Sequence, residues 1–305
     1  MSVVKLLSRI VAPAADLDYN EHRITDAKKL MKSYASKMHD HTYGITSDPL
    51  TQFSVVFAAL IHDVDHLGIP NAQLVKEGTE TAKKYHGKSV AEQNSVDLGW
   101  EMLMQEDYEA LRNAICAKPA DRDRFRQLIV NSVMATDIVD KELKELRNGR
   151  WDKAFKDCAA AKEEDIIRDR NRKATIVIEH LIQASDVSHT MQHWHIYRKW
   201  NEQLFRELYR AYIEGRAEKD PSAFWHKGEI GFFQFYIIPL AKKLKDCGVF
   251  GVSSDEYLNY AEKNLAEWTT KGEGIVAEMI EKVKTECGET PKNAAKAELE
   301  EVDLT

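Results

Sequence analysis

Five consecutive residues, His62-Asp63-Val64-Asp65-His66, bring together two imidazoles and two carboxylates. A neutral imidazole nitrogen and a hard carboxylate oxygen are donors that one divalent metal ion accepts together. The string closes a run of apolar residues at helical spacing, so it sits at the end of an element packed into a core. On a continuous helix His66 lies one turn beyond His62 and faces the same cavity. Packing alone seldom calls for two His and two Asp in one turn, which favours a metal site over a solvated helix end.

Other residues gain weight only in combination. Asp186, in HLIQASDVSHTMQHWH, follows a second apolar run. A buried Asp needs a cation or several donors. Taken singly, Asp186 reads as a helix cap, and its weight as a ligand comes from pairing with His62 and Asp63. Glu92 in SVAEQNS reads alone as a surface residue. Thr136 and Asp137 in VMATDI read alone as a cap or turn. His39 and His41 mimic a metal pair, but residues two apart do not share a helix face, and a loop with solvated imidazoles is the favoured reading. His189, His193 and His195 cluster after Asp186, either as substrate contacts or as surface positions. Among Phe232, Phe233, Phe235 and Tyr236 the usual expectation is core, with one ring free to stack on a base.

The elements that must position these residues are helices. Only 14 Gly and 7 Pro punctuate 305 residues, which argues for long helices and few hairpins. Apolar residues recur at helical spacing in several sets: Val3, Val4, Leu7 and Ile10; Phe53, Val56, Phe57, Leu60 and Ile61; Phe125, Leu128, Ile129 and Val133; Ile176, Ile178, Leu181 and Ile182. Trp200, Leu204, Leu208 and Tyr212 stand at four-residue steps, and a dense apolar helix through Phe232 meets a kink at Pro239. No period-two strand is evident, so the expected class is all-α. Loops are expected at Thr42–Pro49, His86–Lys88, Pro119–Asp123, Asn148–Trp151 and Glu214–Lys227. Residues 286–305 are polar and acidic and are expected to form a disordered tail.

Composition narrows the class further. With 43 basic and 50 acidic residues the net charge is −7, which argues against a general nucleic-acid partner. No run of about 18 apolar residues exists, so no spanning helix and no direct membrane insertion are expected. The first residues are interrupted by Lys5, Ser8 and Arg9 and read as an amphipathic helix rather than a signal peptide. Four cysteines without a CxxC pair favour free thiols in a reducing compartment, hence a cytoplasmic location.

Taken in order, HDVDHLGIPNAQL, SVAEQNS, VMATDIVDKEL, ASDVSHTMQHWHIYRKW and KGEIGFFQFYIIPLAKKL resemble the class I 3′,5′-cyclic nucleotide phosphodiesterase catalytic domain. The resemblance covers residues 1–285 and implies a multi-helix domain of the HD type. It implies that His62, Asp63 and Asp186 bind a first metal ion, with Asp63 and a bridging water holding a second. His66, Glu92 and Thr136 match residues that hold waters on the second ion. The implied ions are zinc and magnesium, or manganese. Phe232 matches the aromatic that stacks on the purine, Tyr197 and Trp200 the segment beside the pocket, and His189 a family asparagine near the base. Glu229 stands where the family has its purine-reading glutamine. An ionised carboxylate only accepts, so guanine, with two adjacent N–H donors, is favoured over adenine. The bland reading of Glu229 is that it points to solvent or pairs with Lys227.

The resemblance also carries a departure. The family has an HNxxH motif just before the helix expected at the start of this chain, and Tyr19-Asn20-Glu21-His22 does not replace it. The expectation is therefore a fragment of a longer enzyme, weakly active alone, from a larger receptor or cyclase polypeptide that could form homo-oligomers. The implied reaction is hydrolysis of a cyclic nucleotide to the 5′-monophosphate. The alternatives are a cyclic-nucleotide-binding module without turnover, another HD-domain nucleotide phosphohydrolase, and a helical scaffold that leaves the ligand set unexplained.

Overall fold

Sparse glycine and proline let most of the backbone satisfy its own N–H and C=O groups locally. A computed structural model describes residues 3–10, 27–156, 163–251 and 254–287. Among these residues every regular element is helical, as the all-α expectation required. In chain order they are α1 (Val3–Leu7), α2 (Ala27–His41), α3 (Pro49–Ile61), α4 (Asn71–Glu77), α5 (Glu80–Lys84), α6 (Val90–Leu103) and α7 (Glu109–Ile115). They continue with α8 (Pro119–Met134), α9 (Lys141–Phe155), α10 (Glu163–Asp186), α11 (Trp194–Ile213), α12 (Trp225–Phe232), α13 (Ile238–Asp246) and α14 (Glu256–Cys287). The stretch beyond Cys287, expected to be a tail, and Cys158 lie outside the described residues.

The chain divides into two units. Unit one comprises residues 1–65, 91–188 and 240–257, and unit two residues 66–90, 189–239 and 258–305. In unit one α3 packs along α8, and α10 joins both. Ala58, Ile61, Val96, Leu103, Phe125, Ile129, Val133 and Ile182 share one core cluster. Asp48 starts α3: its carboxylate accepts the Thr51 N–H at 3.1 Å, and Pro49 occupies the first turn, where its missing N–H costs nothing.

The buried face of α3 differs from the expected one. Thr51, Ser54, Val55, Ala58 and Ile61 are buried, whereas Phe53 is 40% and Leu60 75% exposed. Small residues let helix axes approach closely. Their hydroxyls are satisfied locally: Ser54 donates to the Leu50 carbonyl at 2.6 Å and Thr51 to Asp48 at 2.7 Å. A similar shift occurs in α11, which buries Tyr197, Asn201, Phe205 and Tyr209 and leaves Trp200 and Leu204 exposed. Two expected loops are helical. Pro119–Asp123 opens α8 with Pro119 in its first turn, and Asn148–Trp151 lies within α9, held there by buried Trp151.

Unit two has an aromatic core. Tyr197 meets Phe233 at 5.3 Å and Trp268 at 5.9 Å, and Phe205 meets Trp225 at 5.3 Å. The chain does not break at Pro239. Residues Phe233–Ile237 form a π-turn, in which the Ile238 N–H reaches back to the Phe233 carbonyl. Pro239 has no N–H to offer and its ring crowds the preceding turn; the widened turn absorbs both effects.

Candidate functional site

The end of α3 and the end of α10 converge in unit one. His62 caps α3, and its Nδ1 donates to the Ala59 carbonyl at 2.9 Å. That bond fixes the ring and turns Nε2 toward the two carboxylates. His62 Nε2 lies 3.2 Å from Asp63 Oδ2 and 3.4 Å from Asp186 Oδ1. Among the described residues these three offer donor atoms that all lie within 4.8 Å of one another. The bonds to Asp186 and then Asp63 hold the imidazolium firmly, pushing His62 up to about 10 against the opposing effect of burial. The proton sits where a cation would, between two carboxylates whose mutual repulsion it offsets. One imidazole nitrogen with two carboxylate oxygens suits a divalent ion.

The turn that carries Asp63 is not helical. After Ile61 the chain makes turns, with Asp65 at φ 63. The continuous helix that would have stacked His66 over His62 therefore does not exist. His66 instead accepts the Gly68 N–H on Nδ1 at 3.1 Å. The turn is clamped from α6: Ser95 donates to the Val64 carbonyl at 2.8 Å and Asn94 to Asp65 Oδ2 at 3.1 Å. Gly99, one turn further, lets α6 close on α3; a Cβ there would stand 2.7 Å from Ile61 Cδ1 and 3.2 Å from its Cβ. Sequence reasoning took Glu92 from this helix and missed Asn94, Ser95 and Gly99. Their signal was there, because SVAEQNS puts short polar side chains just where a turn needs donors. Glu92 itself lies, partly buried, in the first turn of α6. Thr136 is partly buried and donates to the Val133 carbonyl at 2.7 Å.

The residues expected to meet a purine belong to unit two. Glu229, on α12, neither points freely to solvent nor turns to Lys227. Its Oε2 accepts from the Tyr197 hydroxyl at 2.6 Å. Behind that bond Asn201 Nδ2 donates to the Tyr197 oxygen at 3.3 Å, and Trp225 Nε1 donates to Asn201 Oδ1 at 3.1 Å. Burial pushes the Glu229 carboxyl up to about 7, although the Tyr197 bond favours the carboxylate. Tyr197 is fully buried, with Glu229 between its hydroxyl and the surface. The His189 ring lies near-parallel to that of Tyr197 at 6.2 Å, and Phe232 stacks on Tyr236 at 5.3 Å. Trp200 is 56% exposed and stands apart from this buried relay. Asn201 and Trp225 were not anticipated. Asn201 follows Tyr197 by one helical turn, a spacing that pairs side chains.

The fold and the His/Asp cluster together define a class. The phosphodiesterase domain of Salpingoeca rosetta rhodopsin phosphodiesterase superposes with a TM-score of 0.61 at 21% identity, over 82% of this chain and 77% of that one. A second crystal structure, of the phosphodiesterase domain of the RhoPDE fusion protein from the same choanoflagellate, gives 0.62 at 21% identity over 92% of each chain. These likenesses establish the all-helical fold. Residues 22–249 match 3′5′-cyclic nucleotide phosphodiesterase, and the chain belongs to that family, as its motif order led one to expect. The probable 3′,5′-cyclic-AMP phosphodiesterase pde-4 of Caenorhabditis elegans is 25% identical over 65% of this chain and 30% of its own length. The 3′,5′-cyclic-AMP phosphodiesterase 4C of Mus musculus is 25% identical over 72% of this chain and 32% of its own. The chain thus spans about a third of the length of these relatives. No described helix is long and apolar enough to cross a membrane.

Proposed function

We propose that this chain hydrolyses 3′,5′-cyclic nucleotides to 5′-monophosphates in a metal-dependent reaction, with cGMP favoured over cAMP while Glu229 is ionised. The observation that carries the reading is the convergence of His62, Asp63 and Asp186, from two helix ends far apart in sequence, within 4.8 Å. Two carboxylates facing one imidazole from distant parts of the chain suit a shared cation. A divalent ion bound there lowers the pKa of a bound water from about 15.7 toward about 7.

The chain's own residues do the rest. The Ala59 carbonyl aims the His62 ring. Asp63 and Asp186 supply the negative charge that retains an ion. Zinc would suit this set, and magnesium or manganese would suit a second ion that Asp63 would help to hold, with His66, Glu92 and Thr136 proposed to serve it. Glu229 reads the base and Phe232 stacks on it, with His189 and Trp200 beside the ligand. The relatives' names speak for cAMP. The carboxylate at Glu229 speaks for guanine, because an ionised reader leaves the adenine N1 lone pair facing an acceptor. The fusion named for one solved neighbour supports a larger parent polypeptide.

The test is to load the purified chain with zinc and magnesium and follow 5′-monophosphate release from both cyclic nucleotides at about pH 8.5, where Glu229 is a carboxylate. The expected result is weak turnover that a chelator abolishes, with cGMP preferred, and loss of bound zinc in Asp186→Asn. Undiminished zinc binding in that variant would remove the metal assignment. Equal rates on the two substrates would remove Glu229 as a selective reader.

A further inference from the structure

The relay behind Glu229 has a direction. An indole nitrogen only donates, so Trp225 makes Asn201 Oδ1 an acceptor and thereby leaves the amide nitrogen facing Tyr197. The Tyr197 oxygen accepts from Asn201, and its single proton goes to Glu229 Oε2. Oε2 is therefore already engaged as an acceptor, and any proton that Glu229 gains must sit on Oε1. The carboxyl cannot turn to exchange the two oxygens without leaving the Tyr197 hydroxyl unpaired in a fully buried position.

We propose that this relay makes Glu229 a two-state reader of the purine, accepting guanine's paired N–H donors as a carboxylate and offering adenine a donor beside an acceptor once Oε1 is protonated. The proton comes from solvent, so falling pH shifts the choice of nucleotide from cGMP towards cAMP. The inference rests on the reading above that Glu229 faces the base. It goes beyond that reading by making the preference conditional.

The surroundings suit such a switch. Burial lifts the Glu229 carboxyl to about 7, with the Tyr197 bond as the one opposing influence. The titratable neighbours are few. Tyr197, on α11, is held well above its usual range by burial and by Glu229 itself, so it stays a donor. His189, in the turn before α11, stacks on the Tyr197 ring. His226, one turn earlier on α12, faces the Trp268 carbonyl and Glu273 of α14 instead. Lys227, the remaining charge on that helix, is exposed.

The experiment measures binding of hydrolysis-resistant phosphorothioate analogues of cAMP and cGMP to the chain, with magnesium present, by calorimetry at about pH 6 and about pH 8.5. These ligands keep one protonation state across that range. The cAMP analogue should bind about tenfold or more tightly at the lower pH, and the cGMP analogue about tenfold more weakly there, because the carboxylate that accepts its donors is lost. Repeating the cAMP titration in buffers of different protonation enthalpy should show proton uptake at the higher pH. Glu229→Gln should bind the cAMP analogue alike at both pH values. Tyr197→Phe should move the midpoint upward, because the bond it removes favours the carboxylate; a merely structural loss would weaken both analogues together at every pH. If both analogues bind but their ratio ignores pH, or if Glu229→Gln keeps the dependence, the two-state reader is wrong and the proposed hydrolase stands. If neither analogue binds at either pH to a chain shown to be folded, the assignment of Glu229 to the base falls, and this inference with it.

Discussion

His62, at the end of α3, and His180, in the middle of α10, each give Nδ1 to a carbonyl of their own helix, Ala59 at 2.9 Å and Ile176 at 2.7 Å. The same backbone bond accompanies opposite charge states. His62 has two carboxylates at its other nitrogen and is pushed up to about 10. His180 is buried against Trp151 at 4.9 Å and pushed down to about 3 by burial, with Lys243, Arg147 and Arg150 adding to the effect. What separates the two histidines is thus the sign of the surrounding charge and the access to solvent. His180 marks how a histidine looks when it serves packing. Its polar neighbours serve packing too: Glu179 pairs with Arg150 at 2.7 Å, and Lys243 reaches Asn148 at 2.7 Å while lying over the Trp151 ring.

The contrast can be broken most forcefully at Asp186. Asp186→Asn should lower zinc affinity by more than the roughly 10–100-fold that outer partners of metal ligands contribute, read by competition with a chromogenic chelator. Unchanged affinity would make His62 as much a structural histidine as His180. Next in size is acid stability. A folded-state value near 3 against an ordinary 6.5 means that neutral His180 stabilises the fold above pH 6.5 and that this contribution is lost as pH falls toward 3. At about pH 4 the loss is about 3 kcal/mol. Urea midpoints of the parent and of His180→Phe should therefore converge on acidification.

A smaller effect concerns His62 in the metal-free chain. Its raised value gives stability that is complete below pH 6.5 and disappears as pH rises through about 10. At neutral pH the proton must leave before zinc enters, so calorimetry in two buffers should record about one proton released per ion. No release would mean that Nε2 is not the ligand atom. The least disturbing test is Lys243→Met. It removes one cation near His180 and one contact over Trp151, at a stability cost of about 0.5–1 kcal/mol. It should also raise the pH dependence midpoint of His180, followed through its ring resonances.

How far the sequence led depends on what each signal measured. The all-helical class was readable, because helical spacing is a local fact, and the His62-Asp63 string stood out for the same reason; the approach of Asp186 to it was not a local fact. Helix phase was not readable. Phe53, Val56, Phe57 and Leu60 look like a buried stripe because they are large and apolar, yet Thr51, Ser54 and Ala58 are the side buried. Periodicity weighs hydrophobicity, whereas close helix packing selects for small size. The polar Glu179, His180 and Gln183 of α10 are buried as well, and helical spacing of apolar residues does not show it. Gln183 donates to the Ala135 carbonyl at 2.8 Å. The Tyr197–Glu229 bond joins residues on different helices, which no single-helix pattern can show.

Two helices finish at the ligand cluster, α3 at Ile61 and α10 at Asp186. Each brings the partial negative charge of its C-terminal carbonyls, equivalent to about half an electron, in addition to two carboxylates. That end of unit one attracts cations before any ion arrives, and it repels anions for the same reason. On the function proposed here, a cyclic phosphate meets an unfavourable field until the negative charge is neutralised. Binding is then compulsory in order, with metal preceding nucleotide, and the chelated chain should show almost no affinity for the cyclic nucleotides proposed as its substrates.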